Sequence, residues 1–233
     1  GDPVFQEDKF ITLDGDDCMY YYEGQDSDLP RGTEVNSDDD EIPNNSYTIE
    51  FYFRNQGDGD VPSGFIGWGK YASHTRQGIA VTLQDYNRIH FSWGSDDLNA
   101  YDLHNGDDLD DGQWRHIAVT FDGTYRCIFV DGDQEACDDR NGYDYMTDYA
   151  GDPDGYKSTF CVGKTYGNYF HGDMAGIRIY RGTALSIEEI ESERYDEDKL
   201  PPYVDEYADD GEQKFRASYV YEDTCSEDVT TVA

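Results

Sequence analysis

Residues 110–134, DDGQWRHIAVTFDGTYRCIFVDGDQ, constrain the fold more than any other stretch of the chain. Strand side chains alternate between faces, so Arg115, Ile117, Val119 and Phe121 share one side while Trp114, His116, Ala118 and Thr120 share the other. Ile117, Val119 and Phe121 mark the first side as the core face. Asp122-Gly123 is a turn dipeptide whose glycine accepts a positive φ, Cys127 to Val130 is a second β-rich run, and Asp131-Gly132 turns the chain again. Strand, DG, strand, DG, strand describes an antiparallel meander and fits no helix.

The same signals recur on both sides of it. Residues 46–54 alternate well, and 64–68, 78–83, 88–93 and 158–163 supply further strands separated by Gly, Asp and Asn. Strands at this spacing predict an all-β, two-sheet antiparallel sandwich, favoured also by 21 Tyr, 11 Phe and 24 Gly. Long acidic loops are expected at 23–45, 94–112 and 138–157, whose composition buries little apolar surface. One short C-terminal helix is expected at Ser186, which can cap it with Glu189 reaching back, while Leu185 and Ile190 occupy the positions of a hydrophobic staple. From Pro201-Pro202 onward the pattern changes, so the chain divides into a sandwich at 1–199 and an acidic extension at 200–233. Phe215 to Tyr221 alternate enough for one added strand.

Fifty-two Asp and Glu face 17 Lys and Arg, a formal net charge of −35. Such a surface repels nucleic acid and anionic lipid and attracts cations, and it suits a saline medium. No apolar run of about 18 residues exists, so no membrane insertion is expected. The N-terminal Gly-Asp-Pro-Val lacks the basic and apolar regions of a secretory signal. None of the five cysteines has metal-ligand spacing. Cys127 and Cys137 fall opposite each other if the intervening loop holds three residues, whereas a two-residue loop shifts the register. Cys18 and Cys161 are then available to each other, with Cys225 left over and able to cross-link chains; the alternative is five buried thiols. Disulfides and the sequon at Asn44 suit a secreted or cell-surface protein.

DGQWRHIAVTFDG with CIFVDGDQ, YTIEFYFR, and FHGDMAGIRIYRGTALSIEEI together resemble the laminin-G-like, or concanavalin A-like and pentraxin-like, jelly-roll domains over residues 10–196. The match departs from the family at Gly176, where an Asp is usual. This resemblance implies a structural Ca²⁺ joining the first hairpin to the last strand, with Asp14, Asp16 and Asp17 set against Asp173. A second acidic cluster, Asp107, Asp108, Asp110 and Asp111, is a candidate rim site for the same ion.

Enzymatic activity is not expected. Hydrolases of this fold carry paired carboxylates on one strand as E-x-D-x-E, and no strand here has them. His74, His90, His104, His116 and His171 are scattered, and no serine lies in GxSxG. Two functions remain. One is a secreted module binding glycan or extracellular protein, with Trp68, Trp93, Tyr101 and Tyr166 as contact candidates. The other is a structural subunit of an extracellular filament or surface coat, homo-assembled through the C-terminal extension or Cys225.

Overall fold

The computed structural model describes residues 4–6, 10–22, 46–56, 62–69, 78–85, 87–93, 96–101, 103, 109–140, 159–165 and 168–194. In chain order the strands are β1 (Val4–Gln6), β2 (Phe10–Asp14), β3 (Met19–Tyr22), β4 (Tyr47–Asn55), β5 (Ser63–Gly69), β6 (Gly78–Gln84), β7 (Arg88–Trp93) and β8 (Asp96–Ala100). They continue with β9 (Arg115–Phe121), β10 (Tyr125–Val130), β11 (Asp133–Asp139), β12 (Thr159–Val162), β13 (Lys164–Thr165), β14 (Asn168–Tyr169) and β15 (His171–Arg181), and helix α1 (Ile187–Arg194) follows. One antiparallel sheet runs β1-β2-β15-β4-β9-β10-β11, a second runs β3-β12-β5-β6-β7-β8, and β13 and β14 form a small hairpin. The expected two-sheet antiparallel jelly roll is the observed fold.

Ile117, Val119 and Phe121 of β9 face inward with Ile49, Phe51 and Phe53 of β4. Opposite them lie Ile79, Val81 and Leu83 of β6 and Ile89, Phe91 and Trp93 of β7. Burying each Val, Leu, Ile or Phe side chain contributes about 1.5–3 kcal/mol, and a one-residue slip would turn every one of them outward. The register of the sandwich is fixed by this face. Phe65 sits at its centre, 4.6 Å from the Phe53 ring and 4.9 Å from Phe170.

The hairpin from β10 to β11 has a two-residue turn, with Val130 opposite Asp133 and positive φ at both Asp131 and Gly132. On that turn alone Cys127 would miss Cys137. A bulge between Ile128 and Phe129 leaves Glu135 out of the ladder and restores the pairing, so Cys127 and Cys137 stand opposite each other and form a disulfide. The Cys18–Cys161 pairing does not form. Cys161 of β12 lies across from Tyr20, and its thiol is retained, pushed up to about 11 by burial, while Cys18 is disulfide-bonded elsewhere. Cys225 lies outside the described residues.

On the outer face of the seven-stranded sheet, β15 and β4 exchange opposite charges in direct register, Asp173 with Arg54 and Arg178 with Glu50. Between these pairs β15 is bulged, and Gly176 takes a φ of 55°, a left-handed conformation that glycine adopts without strain. Helix α1 lies over the same face. Its capping box is formed as expected: the Ser186 amide donates to Glu189 Oε2 at 2.8 Å and the Glu189 amide to Ser186 Oγ at 3.3 Å. Leu185 and Ile190 pack on Ala118 and Phe129.

Candidate functional site

The ladder pairings bring one set of loops to a single end of the sandwich. In the seven-stranded sheet, Asp14 at the exit of β2 faces His171 at the entry of β15, Gly172 faces Asn55 at the exit of β4, and Phe53 faces Arg115 at the entry of β9. The Gln56 amide also donates to the His171 carbonyl at 3.4 Å. The DGDD turn and the 110–112 loop therefore occupy the same rim. They are three strand spacings apart, about 14 Å, and cannot share one ion.

The Asp14, Asp16 and Asp17 carboxylates converge, each offering an oxygen within 4.8 Å of the others. Two ligands on opposite sides of one Ca²⁺ are about 5 Å apart, twice the bond length, so this donor set fits a divalent cation. Its electrostatics favour one as well. Burial, and then the negative charge of Asp14, push the Asp17 carboxyl above its ordinary range, while hydrogen bonding with Asp16 holds Asp14 below it. A bound cation would relieve the repulsion that raises Asp17.

Asp173 does not join them. It pairs with Thr12 rather than Asp14 across the sheet, and its carboxylate is fully engaged. Thr12 Oγ1 donates to Oδ1 at 2.7 Å, and Arg54 donates to Oδ2 from Nε at 2.8 Å and Nη2 at 2.7 Å. The arginine in turn lies over Trp114, 5.1 Å from the ring centre.

Of the second acidic cluster, Asp110 and Asp111 line an open cleft of about 430 Å³ with Gly112, Arg54, Asn55 and Gln56. Asp111 is already used within its own loop: Oδ1 accepts from the Gln113 amide at 2.9 Å and Oδ2 from Arg115 Nη2 at 2.6 Å. Metal ligation by Asp111 would compete with both. Asp107, Asp108, Tyr166 and the Asn44 sequon lie outside the described residues.

The aromatic contact candidates separate sharply. Trp68 is 6% exposed and Trp93 1%, both inside the core, where Trp93 Nε1 donates to the Tyr47 hydroxyl at 2.8 Å. Neither ring is offered to a ligand. Tyr101 is 58% exposed.

Arg54, Asn55 and Gln56 were not marked by the sequence. Their position where a long alternating strand runs into a turn-rich segment is the signal that places them at a rim. A buried polar cluster was missed as well. Glu50 and His116 have almost no solvent contact, their Oε2 and Nε2 atoms lie 3.4 Å apart, and Arg178 Nε is 2.5 Å from Glu50 Oε1. Tyr180 donates to the same oxygen at 2.9 Å.

Two sheets, jelly-roll connections and a polar loop rim at one end define a lectin-like β-sandwich. The chain belongs to the family described as the concanavalin A-like lectin/glucanases superfamily, in its laminin G branch, whose model matches residues 30–191. Among solved structures it is similar to the CBM40 module of Ruminococcus gnavus IT-sialidase bound to α2,3-sialyllactose, at 13% identity over 79% of this chain and 95% of that one, with a TM-score of 0.53. It is similar also to the LG4-5 domains of the mouse laminin alpha1 chain, at 16% identity, 78% and 45% coverage and a TM-score of 0.49. Domain 4 of AbnA, an extracellular GH43 arabinanase from Geobacillus stearothermophilus, in complex with arabinotriose, gives 15% identity, 78% and 71% coverage and a TM-score of 0.46. At 13% identity the likeness to CBM40 is one of fold. A comparison with curated proteins finds no match. No helix among the described residues is long and apolar enough to cross a membrane.

Proposed function

We propose that the chain is a secreted, non-catalytic recognition module that binds glycan or an extracellular protein at this rim, with a structural Ca²⁺ held by Asp14, Asp16 and Asp17. The observation that carries the reading is the convergence of the three carboxylates on the same rim as an open polar cleft. A bound calcium ion would fix the DGDD turn and offset part of the charge that repels other acidic groups. The cleft supplies what a polyhydroxylated ligand needs: the exposed Gln56 side-chain amide, backbone groups at Gly112, and Arg54 Nη1, the guanidinium nitrogen for which Asp173 is not the acceptor. CBM40, a carbohydrate-binding module of the same fold, supports the glycan class, and the Cys127–Cys137 disulfide supports an oxidising compartment. On this reading residues 1–199 are the recognition domain and 200–233 an acidic extension of it.

Thermal melting tests the metal. An ion at about 100 times its Kd adds about 2.7 kcal/mol, so Ca²⁺ is expected to raise the midpoint over that in EDTA by about 5–10 °C for a chain of this size. Asp17→Asn is expected to abolish most of the shift, and equal midpoints in EDTA and Ca²⁺ would remove the ion from the reading. Calorimetric titration with lactose, cellotetraose and 3′-sialyllactose tests the ligand class; if none binds in the presence of Ca²⁺, the glycan reading fails.

A further inference from the structure

Tyr101 is the most exposed large apolar side chain among the described residues, yet it is held firmly from behind. Ile89 of β7 pairs with Ala100 of β8, which places Arg88 and Tyr101 across from each other one step further on. The Arg88 guanidinium carbon lies 5.2 Å from the centre of the Tyr101 ring, and Nη1 points at the Tyr101 hydroxyl at 3.4 Å. The arginine is itself fixed, since Nη2 donates to Gln84 Oε1 at 2.5 Å and meets Asp85 Oδ2 at 2.7 Å, while Nε is turned inward. One face of the ring is thus backed by a pinned cation, and the residue as a whole stays 58% exposed.

The pair lies on the same rim as the DGDD turn. β3 begins immediately after that turn, Met19 faces Val162, Val162 faces Ile66 near the start of β5, Ser63 faces Leu83, and Gln84 at the exit of β6 faces Arg88. The six-stranded sheet therefore presents Tyr101 at the end where the seven-stranded sheet presents its carboxylates and cleft.

We propose that Tyr101, backed by Arg88, is a stacking platform for the apolar face of a neutral pyranose ring; the proposal rests on the glycan-binding reading and assigns it a second contact point. The chemistry selects the ligand. Arg88 has its Nη groups engaged and Nε facing inward, so it offers no fork for a carboxylate or sulfate, and a net charge of −35 opposes any anionic sugar. A cation would have to stack on a ring whose other face already carries one, which the ring quadrupole disfavours. A neutral sugar presents C–H groups to the ring and suffers neither penalty. Because Arg88 holds the ring in one orientation, binding does not have to immobilise it.

The test is calorimetric titration of the intact chain, in Ca²⁺, with lactose and cellotetraose as neutral probes, 3′-sialyllactose as the acidic counterpart and tetramethylammonium as the cation. Tyr101→Ala is expected to weaken the neutral probes about five- to tenfold, Tyr101→Phe to stay within about twofold, and Arg88→Met to fall between them. Neutral-probe affinity is expected to hold from about 50 mM to about 500 mM NaCl, because no charge is matched. Unchanged melting midpoints verify that the variants fold. If the wild type binds these sugars and Tyr101→Ala binds them equally well, the platform is overturned and glycan binding stands. If Tyr101 instead takes tetramethylammonium, with affinity lost in salt, the neutral-sugar assignment is overturned. A wild type that binds none of the sugars overturns both readings.

Discussion

Arg126→Ala is expected to cost the fold about 2–5 kcal/mol, the range for cutting a large buried side chain back to alanine, here with the loss of its hydrogen bonds to Asp138 and Asp96. Arg126 shares the inward face of β10 with Ile128 and Val130 and is fully buried. Its guanidinium lies 4.5 Å from the centre of the Trp93 ring and 5.4 Å from that of Phe91. It also ties the two sheets together where their edges meet. Nε and Nη2 donate to Asp138 at 3.2 and 2.8 Å, and Nη1 donates to the Asp96 carbonyl at 2.9 Å. Arg140 bridges the same two aspartates, 2.7 Å from Asp96 Oδ1 and in contact with Asp138. Alanine would remove the cation, leave a space beneath Trp93, and delete the hydrogen bond to the Asp96 carbonyl. Urea unfolding at neutral pH measures the loss. Arg126→Met keeps much of the packing and leaves Arg140 to hold the aspartates, so it is expected to lose clearly less than alanine; a loss below about 1 kcal/mol for alanine would show that the network does not close the sandwich.

The two sheets were legible because alternation is a local property. Ile117, Val119 and Phe121 declare their face within seven residues, and the capping box at Ser186 and Glu189 needs only four. The same period should have removed Trp93 from the ligand contacts, since it shares a face with Ile89 and Phe91, and its position by twos is a core position. What could not be read depends on register between distant strands. Cys161 misses Cys18 because it pairs with Tyr20, and the sequence between them contains nothing that sets that alignment. In the hairpin, a two-residue turn and a bulge at Glu135 cancel each other, so Cys127 meets Cys137 by a route different from the three-residue loop. The site divides in the same way. Asp14, Asp16 and Asp17 are neighbours in one turn and come together locally. Asp173 was placed with them by family resemblance, but Arg54, 119 residues away, takes its carboxylate. A competitor so far along the chain leaves no trace in the motif that contains the acid.

Glu50→Gln is expected to cost about 3 kcal/mol at pH 7 and much less in acid. Glu50 has no solvent exposure, and burial alone would raise its pKa. The His116 imidazole, the Arg178 guanidinium and the Tyr180 hydroxyl outweigh burial and hold the carboxyl below its ordinary range. A carboxylate whose pKa is lowered on folding stabilises the native state fully above the unfolded value, about 4.3, and loses that contribution as pH falls through the lower folded value. The variant keeps the shape and an acceptor for Tyr180 but has no charge to set against Arg178. Other carboxylates titrate in the same range, so the informative quantity is the difference between wild type and variant in urea unfolding, measured from pH 7 down to about pH 3. That difference is expected to be largest above the ordinary carboxylate range and to shrink below it. A constant gap would mean that Glu50 acts through packing alone. Helix α1 adds a second readout, because the Tyr52 hydroxyl donates to the Arg194 carbonyl at 2.8 Å while its ring lies 4.7 Å from that of His116. Loosening the Glu50 cluster releases that hold, so amide exchange in the last turn of α1 is expected to quicken in Glu50→Gln at pH 7, ahead of exchange in the β9–β10 core.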